Sequence, residues 1–237
     1  MPILVTRAKE DGERTADRLA ALGHEALIAP VLRIVPTGDP APAVAFDAVI
    51  VTSLHAVDAL SSHAARTLPV FAVGERTAQV LREAGFTTVT TAEGDAVSLS
   101  KLIRETLRPP CTLLHVTGRH HKPEPAASLR AAGFGVETWE AYEAEAVESL
   151  PDAAVEAFRA GQIEAVLHYS RRSADIFIRL AGQAGLHEAI LACPHLCLSA
   201  DVAVPIQAAG ASTRVAAEPS EDALLRLVPD LRHSGHP

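Results

Sequence analysis

One feature limits what this chain can fold into: short apolar runs alternate with amphipathic stretches along its whole length. Apolar runs at Ile3–Thr6, Ala48–Val51, Val70–Val73, Thr87–Thr90, Thr112–Thr117, Ala165–Tyr169, His195–Ser199 and Thr213–Ala216 read as strands. Between them, Asp11–Leu22, Leu54–Leu60, Glu75–Ala84, Ala96–Leu107, Pro125–Ala132, Asp152–Ala160, a stretch from Ser170 to about Ala184, Asp201–Ala209 and Glu221–Val228 read as helices. Gly23, Gly85, Gly133 and Gly210 stand where helices stop, and Ser53, Asp95, Ser170 and Ser220 stand where helices start. Strands alternating with helices build parallel α/β sheets, and so many units require two of them.

At 237 residues the chain has room for two domains of about 100–120 residues each. Hydrophobic residues make up 48 % but aromatics only 4 %, so the core must be made of Ala, Val, Leu and Ile. The start, Met1-Pro2-Ile3-Leu4-Val5-Thr6-Arg7, lacks the basic head and long apolar region of an export signal, and no run reaches a membrane-spanning length of about 18–20 residues. The expectation is a cytoplasmic protein without membrane contact. A net charge of −8 argues against nucleic acid as a partner. Cys111, Cys193 and Cys197 form no disulfide framework. Cys193 and Cys197 flank His195, but Cys197 falls in an apolar strand and no second ligand pair follows. His120 and His121 are adjacent and read as a solvated loop. Neither metal nor cofactor is expected, since the glycine-rich phosphate loops and the nucleophile elbow are all missing.

A weak internal repeat organises the strands. Ala48-Val49-Ile50-Val51-Thr52-Ser53 resembles Ala165-Val166-Leu167-His168-Tyr169-Ser170, and Ile3-Leu4-Val5-Thr6-Arg7 echoes Leu114-His115-Val116-Thr117-Gly118-Arg119. Each half has one long extended segment, Glu25–Val35 or Gly135–Ala144, and residues 36–42 read as a linker. The expected fold is two parallel-sheet, flavodoxin-like α/β domains joined by a two-stranded β connection. One domain would be discontinuous (1–36 with 146–237) and the other inserted (37–145).

In open α/β sheets, ligands bind at the carboxyl ends of strands. The residues there are Thr6-Arg7, Thr52-Ser53, Gly74-Glu75-Arg76-Thr77, Thr117-Gly118-Arg119, Tyr169-Ser170-Arg171-Arg172-Ser173 and Ser199-Ala200-Asp201. Any one Ser or Thr in this set is accounted for by helix capping. Taken together, hydroxyls, arginines and helix N-termini describe a pocket for a polyanion. No carboxylate pair stands out for acid–base work, which points to a protein that acts by binding and shaping its substrate.

An ordered series of short motifs resembles the uroporphyrinogen-III synthase family. The series runs through Ile3-Leu4-Val5-Thr6-Arg7, Gly23-His24-Glu25, Val51-Thr52-Ser53, Val73-Gly74-Glu75-Arg76-Thr77, Ala84-Gly85-Phe86, Gly94-Asp95-Ala96, Thr117-Gly118-Arg119, Tyr142, Tyr169-Ser170-Arg171-Arg172-Ser173 and Pro219. The resemblance implies a cleft between two α/β domains. It implies a linear tetrapyrrole substrate, hydroxymethylbilane, with eight carboxylates, cyclised without a cofactor by an enzyme expected to be monomeric. Transient contact with hydroxymethylbilane synthase would follow. It carries substrate binding onto Thr6, Arg7, Ser53, Thr77, Thr117, Gly118, Arg119, Ser170, Arg171, Ser173 and Ser199, and the catalytic role onto Tyr142, with Tyr169 as the rival. The chain departs from the family at 198–203, where a Gly-x-Thr motif is replaced and Asp201 would repel a carboxylate unless it caps or faces away. Two other readings fit the architecture: a non-catalytic binding or sensor module for an anionic ligand, and a nucleotide-sugar transferase, the latter weakened by the missing phosphate loop.

Overall fold

A computed structural model describes residues 1–63 and 67–228. The tail Arg232-His233-Ser234-Gly235-His236-Pro237, whose composition predicts fraying, lies outside the described residues. The described residues form two compact units, one built from 1–33 together with the chain from 145 onward, the other from the stretch 34–144. In chain order the elements are β1 (Ile3–Val5), α1 (Lys9–Ala21), β2 (Ala26–Ile28), β3 (Leu32–Pro36), β4 (Ala48–Val51), a 3₁₀ turn (Leu54–Ala56) running into α2 (Val57–Ser61), β5 (Val70–Ala72), α3 (Glu75–Glu83), β6 (Val89–Thr91) and α4 (Ala96–Thr106). They continue with β7 (Thr112–Gly118), α5 (Ala126–Ala131), β8 (Gly135–Ala146), α6 (Asp152–Arg159), β9 (Ala165–His168), α7 (Arg171–Gln183), α8 (His187–Leu191), β10 (His195–Cys197), α9 (Ala200–Ala208), β11 (Thr213–Val215) and α10 (Glu221–Leu225).

The first unit holds the sheet β11-β10-β9-β1-β2, with each neighbouring pair of strands parallel. Counted along that unit the order is 2-1-3-4-5, the flavodoxin-like arrangement. The second sheet is ordered β3-β8-β7-β4-β5-β6, and its strands from β8 to β6 are parallel. Here the chain reverses direction across the sheet between β4 and β7. In the first sheet it does so between β1 and β9. Such switch points open a crevice at the strands' carboxyl ends, because the connecting helices leave toward opposite faces.

Central strands β1, β4 and β9 are wholly buried, as both-sided burial requires, and this is why they read as unbroken apolar runs. Alternate residues serve opposite faces. Leu4 and Val166 pack in one cluster while Ile3, Val5, Ala165 and Leu167 pack in another. In the inserted unit Val49, Val51, Leu114 and Val116 face one way and Ala48, Ile50 and Leu113 the other. Gly23 and Gly85 end α1 and α3 with φ of 80° and 89°, a region that L side chains avoid.

Three details differ from the sequence-based expectation. The extended segment Glu25–Val35 is two strands, β2 and β3, which belong to different sheets. α8 lies in a stretch with no clear helical period, since only Ile190 of its five residues is buried. Residues 36–42 are no free linker: the Thr37 amide donates to Ala141 O (3.2 Å), its hydroxyl to Glu140 O (2.7 Å), and Trp139 Nε1 donates to Asp39 O (2.9 Å). Among the described residues no helix is long and apolar enough to cross a membrane.

The strands also carry buried imidazoles. His168 and His195 are fully buried, with His168 Nε2 2.9 Å from His195 Nδ1 and His195 Nε2 2.9 Å from Ile190 O. A carbonyl only accepts, so His195 carries its proton on Nε2, its Nδ1 accepts, and His168 donates from Nε2. Burial pushes His168 well below the usual imidazole range, with the neighbouring imidazole adding to the effect, and it lowers His195 against the opposing pull of the Ile190 carbonyl. Burial, with His121 and Arg130 adding to it, takes His115 to about 4. A base whose folded pKa is depressed binds its proton more readily in the unfolded chain, so stability rises with pH across that window and falls on acidification below about 6.5. We predict that urea unfolding followed between pH 7 and pH 5 shows a loss of which His115 alone contributes about 2 kcal/mol. Equal stability at the two pH values would contradict this.

Candidate functional site

The switch point of the inserted unit opens onto a cavity of about 480 Å³. Its walls come from the carboxyl ends of β4 (Thr52), β7 (Thr117, Gly118, Arg119) and β8 (Tyr142), with His115 behind them and the Gly94-Asp95 turn that starts α4. Asp95 caps α4, its Oδ1 accepting from the Ser98 amide at 2.7 Å. That bond holds the Asp95 carboxyl below its ordinary range. Thr52 Oγ1 lies 3.3 Å from His115 Nε2, and His115 is completely buried. At a pKa of about 4 its imidazole is neutral at pH 7.

Tyr142 is the most tightly positioned member. Strands β7 and β8 run in register from Thr112↔Gly135 to Thr117↔Glu140, then slip so that Gly118 pairs with Tyr142. The bulge at Ala141 re-aims the tyrosine, which is a frequent use of bulges at functional sites. Its ring then lies directly on Gly118: a Cβ there would sit 2.7 Å from Tyr142 Cε2 and 3.0 Å from Cζ. Burial pushes the phenol above its ordinary value, against the pull of hydrogen bonding with Ser53 and the Gly118 backbone. The phenol is therefore protonated at neutral pH.

Carboxylates surround the arginine of this cavity. Arg119 pairs with Asp39 (2.9 Å), Glu143 (3.0 Å) and Glu140 (3.8 Å), and His121 Nε2 lies 3.5 Å from Glu140. The bond to Asp39 chiefly, with Glu143 and Glu140, raises the guanidinium further above its already high range. Arg119 is thus neutralised by the protein itself.

In the other unit the corresponding crevice, between β1 and β9, is occupied by a side chain of the protein. Glu221, the first residue of α10, accepts from Arg7 (3.0 Å), Arg14 (2.6 Å), Arg18 (2.8 Å), Thr15 (2.7 Å) and the Tyr169 hydroxyl (3.1 Å). Burial alone would raise the Glu221 carboxyl, but Thr15 and the arginines outweigh it and hold it below its ordinary value. Arg7 stacks over Tyr169, 4.2 Å from the ring centroid. Burial, with Glu221 adding to it, pushes the Tyr169 phenol up to about 12.

The sequence-predicted residues therefore separate. Ser53, Thr117, Gly118, Arg119 and Tyr142 come together in the inserted unit. Thr77 is buried in the first turn of α3 and does not line the cavity. In the other unit Thr6 is buried, its hydroxyl donating to Leu167 O at 2.9 Å, and Arg7 is committed to Glu221. Ser170 caps α7, accepting from the Ser173 amide at 3.1 Å, with its oxygen 2.7 Å from that of buried Ser173. Arg171 pairs with Asp201 at 3.0 Å, so Asp201 is a partner rather than a repelling charge, and Ser199 caps α9. Sequence reading named Thr52 at a strand end and Asp95 at a helix start, but it missed His115 behind Thr52, the place of Asp95 in the cavity wall and the acidic escort of Arg119. A histidine inside an apolar strand was the available signal for the first of these.

Strand order, switch-point cavity and hydroxyl-lined rim define an α/β protein with an open cavity at the strand ends of its inserted unit. A family profile described as "Uroporphyrinogen-III synthase HemD" matches residues 13–226, and the chain belongs to that family, whose enzymes serve haem biosynthesis. The solved structure of uroporphyrinogen-III synthetase from Helicobacter pylori 26695 superimposes with a TM-score of 0.64 at 17 % identity, covering 98 % of this chain and 99 % of that one. A mutant uroporphyrinogen III synthase from the extremely thermophilic bacterium Thermus thermophilus gives 0.49 at 17 % identity, with the same coverage. The Helicobacter likeness shows a shared fold. A search of curated proteins returns no match.

Gly118→Ala should force the Tyr142 ring off its strand, lowering stability by about 1–3 kcal/mol in urea unfolding. Unchanged stability would mean that the ring moves aside freely and that the glycine does not position it.

Proposed function

We propose that this chain is a uroporphyrinogen-III synthase acting as a lyase: it takes hydroxymethylbilane, removes its terminal hydroxyl as water, and closes the macrocycle with ring D reversed. The substrate's electron-rich first ring expels hydroxide and becomes an azafulvene cation, which closes head to tail in water and gives the unreversed isomer. The reversed product requires attack through the substituted carbon of ring D, a spiro intermediate, fragmentation and reclosure. The enzyme's task is to fix one geometry faster than free closure occurs, and orientation is the natural source of that rate, worth about 7–11 kcal/mol in favourable cases.

Tyr142 carries the reading. A protonated phenol held on Gly118 at the rim of a strand-end cavity is placed to donate to the departing hydroxide. Thr52, Ser53 and Thr117 are hydroxyl donors nearby for substrate carboxylates. Ser170, Ser199 and Arg171 belong to the same proposal as binding groups of the other unit, with their capping and pairing roles already assigned. The rival Tyr169 is less suited, because its hydroxyl already donates to Glu221. The acidic side chains around Arg119 favour the transient cation over additional carboxylates.

The test is a coupled assay in which hydroxymethylbilane is generated in place, the products are oxidised, and the ratio of type III to type I porphyrin is measured. Wild-type protein should give predominantly type III, and Tyr142→Phe should lower kcat about tenfold or more with little change in KM. A type ratio equal to that without protein would refute the function. A Phe variant with wild-type turnover would remove Tyr142 from the mechanism.

A further inference from the structure

Tyr142 lines a second cavity, of about 320 Å³, on the side of the inserted unit formed by β3 and the 3₁₀ turn with α2. One wall is apolar: Ile34, Val35 and Pro36 of β3, an edge strand. The opposite wall is His55, Asp58, Ala59 and Ser62. These four recur at i, i+3, i+4 and i+7, so they form one continuous helical stripe. The other side of the same helical segment, Ala56, Val57 and Leu60, is buried in the core. The stripe therefore confronts an apolar strand across open space, where a packed α/β unit would place an apolar helix face. The His55 ring meets the Tyr142 ring edge-on, with centroids 5.9 Å apart, and this pair closes one end.

We infer that this second cavity is a subsite for a single pyrrole ring of the substrate, entered with its N–H edge toward Asp58. The inference rests on the proposed function and deepens it. A pyrrole is flat and apolar on its faces, which suits Ile34, Val35, Pro36 and Ala59. It has one N–H donor, which suits a carboxylate acceptor. Its acid side chains stand on the carbons opposite the nitrogen. Asp58 therefore attracts one edge of the ring and repels the other, so only one orientation is admitted. At about 320 Å³ the space is at the lower end of ligand pockets, enough for one ring and not for a tetrapyrrole. Tyr142 borders both cavities, so a ring held here has its neighbour beside the phenol at the strand-end cavity. That is the geometry a reaction needs when one ring must be held while another turns.

The experiment compares wild type, Asp58→Asn and Ala59→Trp with hydroxymethylbilane as substrate, reading kcat/KM, isomer ratio and thermal midpoint. Filling the subsite with Ala59→Trp should lower kcat/KM about tenfold or more and raise the type I share. Asp58→Asn, an isosteric change on an exposed first helical turn, should lower kcat/KM about threefold to tenfold at an unchanged thermal midpoint. Should Ala59→Trp fold poorly, Asp58→Asn decides alone. Variants matching wild type in kcat/KM and isomer ratio overturn the subsite and leave the synthase reading intact. A wild type that gives no excess of type III overturns both.

Discussion

The contact on which the candidate site depends is an aromatic ring lying on a glycine. Parallel strands β7 and β8 keep strict register for six residue pairs and then slip by one, and that slip sets Tyr142 against Gly118. A one-residue change of register redirects every following side chain. Here it brings a half-buried phenol over the end of the neighbouring strand, onto the only residue type that leaves it room. The rim hydroxyls, the capped start of α4 and the neutral imidazole behind Thr52 are arranged around that ring. Nothing in this arrangement calls for a nucleophile or a carboxylate dyad. It suits a reaction whose substrate supplies its own reactivity and whose outcome is decided by geometry.

The two sheets have related topologies, and the contrast between their crevices is informative. In the inserted unit the crevice is a cavity. In the other unit Glu221 enters the crevice and collects three guanidiniums, a threonine and a tyrosine. Such a network is strongly coupled, and removing its carboxylate would leave cations facing one another in a partly desolvated place. Its arginines retain 20–36 % exposure, so the interaction is moderated by solvent. One crevice has become a structural clasp while the other keeps free space.

Much of the fold was legible because its signals are local. Unbroken apolar runs such as Ala48–Val51 mark strands buried on both faces, and Gly23 or Gly85 ends a helix by its own backbone geometry. The site was only half legible. The strand-end rule located Ser53, Thr117, Gly118 and Arg119, and the family resemblance located Tyr142. What escaped depends on contacts distant in sequence: Glu221 reaches Arg7 across 214 positions, and Asp39 reaches Arg119 across 80. A list of strand ends with few carboxylates described the chain's order but not the acids that other segments deliver. The split of Glu25–Val35 into two strands of different sheets is of the same kind, since no local pattern states which sheet a strand will join.

The claim that the strand-end cavity beside Tyr142 receives the substrate is tested most directly by backbone amide NMR. The ligand would be a bilane that cannot cyclise, its terminal hydroxymethyl replaced by methyl and its eight carboxylates kept. The account predicts saturable shifts at Thr52–Ser53, Gly94–Val97, Thr117–Arg119 and Tyr142. Saturable binding that leaves all of these amides unmoved would contradict it.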